Sequence, residues 1–132
     1  MADNWMVRDL VGIKGVEHVV LCSTDGLPGQ YAKPADKPVT DVSAHLPAAV
    51  AGLYSVADGL GRLLDRDSGL RQVVAEWEGR ALIVRSAGRG SYLAVVFSEG
   101  VDPAIVSQEM TRQVNRLGEG TSTPPRETPP TP

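Results

Sequence analysis

The stretch Val16-Glu17-His18-Val19-Val20-Leu21-Cys22-Ser23-Thr24-Asp25-Gly26-Leu27-Pro28 decides the fold. Val19 and Leu21 fall on one face of an extended run, Val20 and Cys22 on the other. Apolar groups on both faces mark residues 16–24 as a strand covered on both sides. Asp25-Gly26 predicts a two-residue turn of type I′, which needs left-handed backbone that Gly adopts without steric cost. Residues 27–32 are the return strand. Pro28 cannot donate to a ladder, so this strand is expected at a sheet edge.

Toward the N-terminus, residues 4–11 read as a short helix. Met6 and Leu10 are four apart, as are Val7 and Val11, with Asp3 or Asn4 as cap and Gly12 and Gly15 as stop. Toward the C-terminus, residues 33–40 are a loop with Pro34 and Pro38. A long helix follows, ending near Leu64. Its pattern runs Val42, Leu46, Val50, Leu53, Val56 or Ala57, Leu60, Leu64 and is expected to face the sheet. Pro47 interrupts it. A proline in a helix interior costs about 3 kcal/mol, so either the helix kinks or its regular part begins near Leu46 with Pro47 in the first turn. The second reading is favoured.

After a connector at 65–69, residues 70–77, 80–86 and 91–97 are strands. Glu78-Gly79 and Ala87-Gly88-Arg89-Gly90 turn between them. The last two strands are apolar on both faces and therefore interior. Asp102-Pro103 pairs an N-cap with proline at the first helical position. Ile105, Val106, Met110, Val114 and Leu117 form the stripe of a final helix, stopped by Gly118. Hairpins pair strands 1–2, 3–4 and 4–5. Strands 1 and 5 each need a second neighbour. Joining them gives an α+β fold, α-β-β-α-β-β-β-α, with a five-stranded antiparallel sheet of order 2-1-5-4-3. Strand 3 is the other edge. Its Val73-Val74-Ala75 run has no charge, proline or bulge signal, and such an edge invites another chain.

The 132 residues suit one domain over 1–118. Residues 119–132 hold five of the ten prolines and no other apolar side chain. They read as a disordered, Pro/Thr-rich tail. Thirteen basic against sixteen acidic residues give a net charge of −3, which argues against a nucleic-acid partner. No apolar run is long enough to insert in a membrane. The first residues lack a signal-peptide layout, and one cysteine permits no internal disulfide. A cytoplasmic location is therefore expected.

No residue pattern here looks catalytic. His18 shares a strand face with Cys22 but lies about 13 Å along it, out of hydrogen-bond reach. Cys22 is read as a buried small residue and His45 as a helix-start surface residue. Two histidines are too few for a His/Cys metal cluster. The glycines at 12, 15, 88 and 90 lack the spacing of a phosphate loop. Asp65-Arg66-Asp67-Ser68-Gly69 begins like a calcium loop but has Leu70 where the glycine must stand. No enzyme activity, cofactor or metal is therefore expected. One constellation does stand out. Ala48, Gly52, Ser55 and Gly59 line one face of the long helix, with Ala51 beside them. Small side chains let another backbone come close. With the edge residues Gln72, Val73, Val74, Ala75 and Glu76 they form the candidate interface.

The chain resembles the Roadblock/LC7 family in its bacterial, and especially actinobacterial, form. Three segments carry the resemblance. They are Leu10-Val11 through Gly15-Val16-x-His18-Val19-Val20-Leu21-x-Ser23-x-Asp25-Gly26-Leu27-Pro28, then Ala48-Ala49-Val50-Ala51-Gly52-Leu53-Tyr54-Ser55, and Arg71-Gln72-Val73-Val74-Ala75-Glu76-Trp77-Glu78-Gly79 leading into Leu82-Ile83-Val84. The resemblance as a whole covers about residues 4–118. Pro47 and the tail depart from the pattern. The resemblance implies a profilin-like fold with the long helix on one sheet face and the terminal helices on the other. It implies a homodimer through strand 3 and the long helix, and no shared catalytic residue. Bacterial relatives act beside small Ras-like GTPases. In actinobacterial conservon operons a sensor-kinase-like protein, a roadblock protein, a small helper and a GTPase are encoded together. The implied partners are therefore a second copy, a small Ras-like GTPase and a sensor-kinase-like protein, with recruitment to the membrane through them. A small-molecule-sensing module of PAS, GAF or profilin type is the alternative. It needs a cavity of roughly 300–1,000 Å³, for which the packed sheet faces leave little room.

Overall fold

In a computed structural model, which describes residues 5–35, 41–66, 69–88 and 90–122, the elements follow the predicted order. They are α1 (Trp5–Val11), β1 (Val16–Ser23), β2 (Pro28–Ala32), α2 (Val42–Leu64), β3 (Gln72–Trp77), β4 (Arg80–Gly88), β5 (Ser91–Ser98) and α3 (Pro103–Ser122). The Asp3/Asn4 cap, Pro38, residues 67–68, Arg89 and residues 123–132 of the tail lie outside the described residues. The sheet is antiparallel in the order β2-β1-β5-β4-β3.

Alternation along the strands builds two cores. Val19, Ile83, Leu93, Val95 and Phe97 point to the face covered by α1 and α3, where Val7, Leu10, Val106 and Met110 meet them. Val20, Cys22, Leu82, Val84, Ala94 and Val96 point to the face covered by α2, against Val50 and Tyr54. The two-sided runs in β1, β4 and β5 are thus required by a sheet with helices on both faces.

Three local expectations are corrected. First, the β1–β2 loop holds three residues, not two. Gly26 N–H donates to the Ser23 carbonyl (2.9 Å), Ser23 N–H donates to that of Leu27 (3.1 Å), and Gly26, the loop's glycine, takes φ +83°. Thr24 is drawn into the loop because its N–H bonds the Gly90 carbonyl in the neighbouring turn (2.8 Å). This is the three-residue hairpin with a left-handed Gly at its end.

Second, α2 starts at Val42, so Pro47 is its sixth residue and not part of the first turn. The ring deprives the Ser43 carbonyl of its helical donor. Burial of Pro47 against the sheet offsets that loss, and its own carbonyl accepts a bond from the Cys22 thiol (3.8 Å). Third, α3 passes through Gly118 and ends at Ser122. A glycine near a helix end costs only about 1 kcal/mol, and Gly118 keeps helical backbone instead of turning left-handed.

Candidate interaction surface

Helix α2 buries Pro47, Val50, Ala51 and Tyr54. Tyr54 anchors it: its hydroxyl donates to the Leu70 carbonyl (2.9 Å) and its ring lies 4.5 Å from that of Tyr92. The predicted Val/Leu stripe leaves the sheet halfway along. Leu53, Val56, Leu60 and Leu64 face outward, joined by Leu63, with Val56 73% and Leu63 84% exposed. The correction has a geometric cause. Tyr54 takes the sheet-facing position at the middle of the helix, so the apolar residues next to it are turned to solvent.

The small residues divide. A Cβ on Gly26 would meet the Ala48 backbone and the Ala51 side chain, so these two alanines let the β1–β2 turn approach α2. Ala51 is therefore buried instead of lying on the open face. Gly52 and Gly59 have nothing within 4 Å of where a Cβ would stand. Ala48, Gly52, Ser55 and Gly59 are all exposed. They run beside Val56, Leu60 and Leu63, so the outer face of α2 is continuously apolar or small.

Among the described residues no strand pairs with the outer side of edge strand β3. Val73 and Ala75 pack into the α2 core, while Val74 is 48% exposed on the opposite sheet face and Glu76 is exposed. Gln72 is opposite Arg85 on β4 and accepts a bond from its guanidinium (2.5 Å). Arg85 also donates to the Ser107 carbonyl (3.4 Å), to Ser107 Oγ (2.8 Å) and to Thr111 Oγ1. It clamps α3 to the sheet edge through neutral acceptors, and among the described residues no carboxylate pairs with it. Burial pulls its pKa down from the usual arginine value. Sequence reading missed this clamp, because a lone Arg in a strand carries no spacing signal.

A cleft of about 580 Å³ opens on the α2 side. Leu82 and Val96 form its floor, Val42 and Leu46 one wall, Trp77 the other, with Glu17, His18 and Arg80 around it. This corrects the expectation that the packed sheet faces leave little room for such a cavity. The packed faces close the middle of the sheet, whereas the cleft lies where the β3–β4 turn and the first turns of α2 flank its end. His18 Nδ1 bonds the Tyr31 hydroxyl (2.8 Å), and Arg80 Nε donates to Glu17 Oε1 (3.1 Å). Burial lowers the His18 pKa, against the opposing pull of Glu17. Cys22 is 2% exposed, and burial pushes its thiol pKa up, as suits a packing residue. His45 is exposed. No helix among the described residues is long and apolar enough to cross a membrane.

The family model described as Roadblock/LC7 domain matches residues 3–97. The chain belongs to the Roadblock/LC7 family. Among solved structures it is similar to a Roadblock/LC7 domain from Streptomyces avermitilis, at 29% identity over 93% of this chain and 100% of that one, with a TM-score of 0.81. It is similar in fold to MglB solved in a tetrameric arrangement, at 20% identity, 87% and 84% coverage and TM-score 0.78. Profilin IA of Acanthamoeba castellanii shares the fold more distantly, at 20% identity, 88% and 96% coverage and TM-score 0.59. A comparison with the curated proteins gave no match. The sheet order and helix placement described above are those of a Roadblock/LC7 domain.

Proposed function

We propose that this protein is a non-enzymatic homodimer that binds and modulates a small Ras-like GTPase in a bacterial signalling system. The carrying observation is that two unsatisfied surfaces occur in one small domain: the open β3 edge and the apolar outer face of α2. Both need a protein partner. Two-fold pairing of β3 with its own copy continues the sheet and brings two α2 helices to one side. The candidate residues Gly52, Ser55 and Gly59 and the larger Val56 and Leu60 then pack one α2 against the other, and the paired helices form one broad platform. The GTPase, the sensor-kinase-like protein and recruitment to the membrane by partners enter through the family resemblance, and the cytoplasmic site is the expectation from the sequence.

Modulation is by population shift: the dimer prefers one switch conformation, and the difference in affinity sets the size of the effect. A trans arginine finger has less support. Arg62 is tied to Asp58 on its own helix (2.6 Å), and Arg66 is exposed at the helix end. The test is calorimetry against the co-encoded GTPase loaded with GDP or a non-hydrolysable GTP analogue. Unequal affinities are expected. Equal affinities reduce the protein to a tether, and absence of binding to both refutes the reading.

The cleft beside Trp77 favours a second reading, small-molecule sensing, because its volume falls within the usual range for ligand sites. A thermal-shift screen of amphipathic metabolites separates the two readings. A hit abolished by Leu82→Trp, which fills the floor, supports the sensor.

A further inference from the structure

We infer that the two β3 strands of the dimer pair with the two-fold axis at Val74, which sets Arg71 on the partner's Trp77 and brings the partner's Glu76 to Gln72 and Arg85. The inference rests on the proposed homodimer and specifies its register.

In a two-fold antiparallel pair, directly opposed residues point to the same sheet face. A residue and its opposite number therefore differ by an even count, and the axis passes through a residue. Three axes lie near the middle of the free edge. An axis at Val73 opposes Gln72 to Val74 and Leu70 to Glu76. An axis at Ala75 opposes Val74 to Glu76 and Gln72 to Glu78. Both set apolar groups against polar or acidic ones.

Over residues 71–77 the axis at Val74 matches every pair, and only beyond them does Leu70 fall opposite Glu78. Val74 meets itself, and Val73 meets Ala75. Gln72 meets Glu76, an amide against a carboxylate. Arg71 meets Trp77, and a guanidinium over an indole face is favourable. Arg71, Glu76 and Trp77 are exposed in the single protomer.

An independent observation agrees. Arg85 is a half-buried cation whose four bonds all go to neutral acceptors: Gln72, Thr111 and Ser107, the last through both its carbonyl and its hydroxyl. Gln72 is its cross-strand neighbour. In the proposed register the partner's Glu76 follows next in that row, on the same sheet face. The missing counter-charge is thus supplied by the second copy, twice over by symmetry.

Cysteine cross-linking reads the register directly. Opposed Cα atoms lie about 4.5–5.5 Å apart, within the disulfide range, whereas diagonal ones lie about 7–8 Å apart and outside it. Val74→Cys is expected to form an intermolecular disulfide in a glutathione buffer about tenfold faster than Val73→Cys or Ala75→Cys alone. An equal mixture of the Val73→Cys and Ala75→Cys proteins is expected to give the mixed dimer. Native Cys22, being buried, stays out of the exchange. Sedimentation of the same proteins under reducing conditions separates the two levels of failure. A monomer overturns the dimer and the register together. A dimer that links fastest through residue 73 or 75 overturns the register alone.

Discussion

Leu60→Ala is the sharpest test of the α2 face. Leu60 is 56% exposed in the protomer, so little of its side chain contributes to folding. Full burial of a leucine is worth about 1.5–3 kcal/mol, so covering its exposed half in a dimer contributes about 1–1.5 kcal/mol. Two-fold symmetry counts the loss twice, for about 2–3 kcal/mol per dimer. The dimer Kd should rise about 30–150-fold. Protomer stability should stay within about 0.5 kcal/mol, as for an exposed helical site, and alanine is the better helix former. Sedimentation equilibrium over a concentration series gives the Kd, and denaturant unfolding of the dilute protein gives the stability. Ile105→Ala is the control, because Ile105 is 52% exposed but lies on α3, across the sheet. A Leu60→Ala protein that dimerises within twofold of the wild type refutes the placement of α2 in the interface (a twofold change is about 0.4 kcal/mol). Equal weakening by Ile105→Ala refutes it too.

Gly29→Ala should destabilise the domain by about 2 kcal/mol and lower Tm by about 6–10 °C, because a Cβ there collides with the Leu21 carbonyl oxygen at the β1–β2 bulge. Calorimetric scanning checks it, and an unchanged Tm contradicts the packing. His18 has a lowered folded-state pKa, so the unfolded chain binds its proton more tightly. Stability from this group is then full above the unfolded value of about 6.5 and falls as pH drops through it toward the folded value. Urea titrations across that range should show the step in the wild type and lose it in His18→Asn. Deleting residues 123–132 should shift Tm by no more than about 1–2 °C, since that segment has no large apolar side chain to bury. A larger drop means that the tail docks on the domain.

Element order and sheet topology were legible because hairpin adjacency and two-sided strands leave one arrangement. Pro28 and the apolar runs of β4 and β5 are local signals with one structural meaning each. Less legible were features that depend on what another element does. The extra residue of the β1–β2 loop, Thr24, is recruited by Gly90, far away in sequence. The tolerance of Pro47 comes from its burial and the nearby Cys22 thiol. The cleft depends on where α2 stops covering the sheet. The Arg85 clamp depends on Ser107 and Thr111 arriving from α3.

The long helix shows most plainly why periodicity identifies an element more readily than its orientation. A helical pattern fixes the buried side when the opposite side is polar. In α2 both sides are apolar or small: Val50, Ala51 and Tyr54 inward, Gly52, Val56 and Leu60 outward. The sequence pattern ran down Leu53, Val56 and Leu60 as the inner stripe because nothing polar marked them as outer. The bond from Tyr54 to the Leu70 carbonyl and its contact with Tyr92, with Pro47 and Val50 buried on the same side, set the rotation. The ambiguity carries functional information. A helix that leaves Val56, Leu60, Leu63 and Leu64 in water has a surface cost that folding of one chain does not relieve. The adjoining β3 edge has the corresponding cost in unpaired backbone groups. The proposed two-fold association covers both at once, and that economy is the physical argument for it.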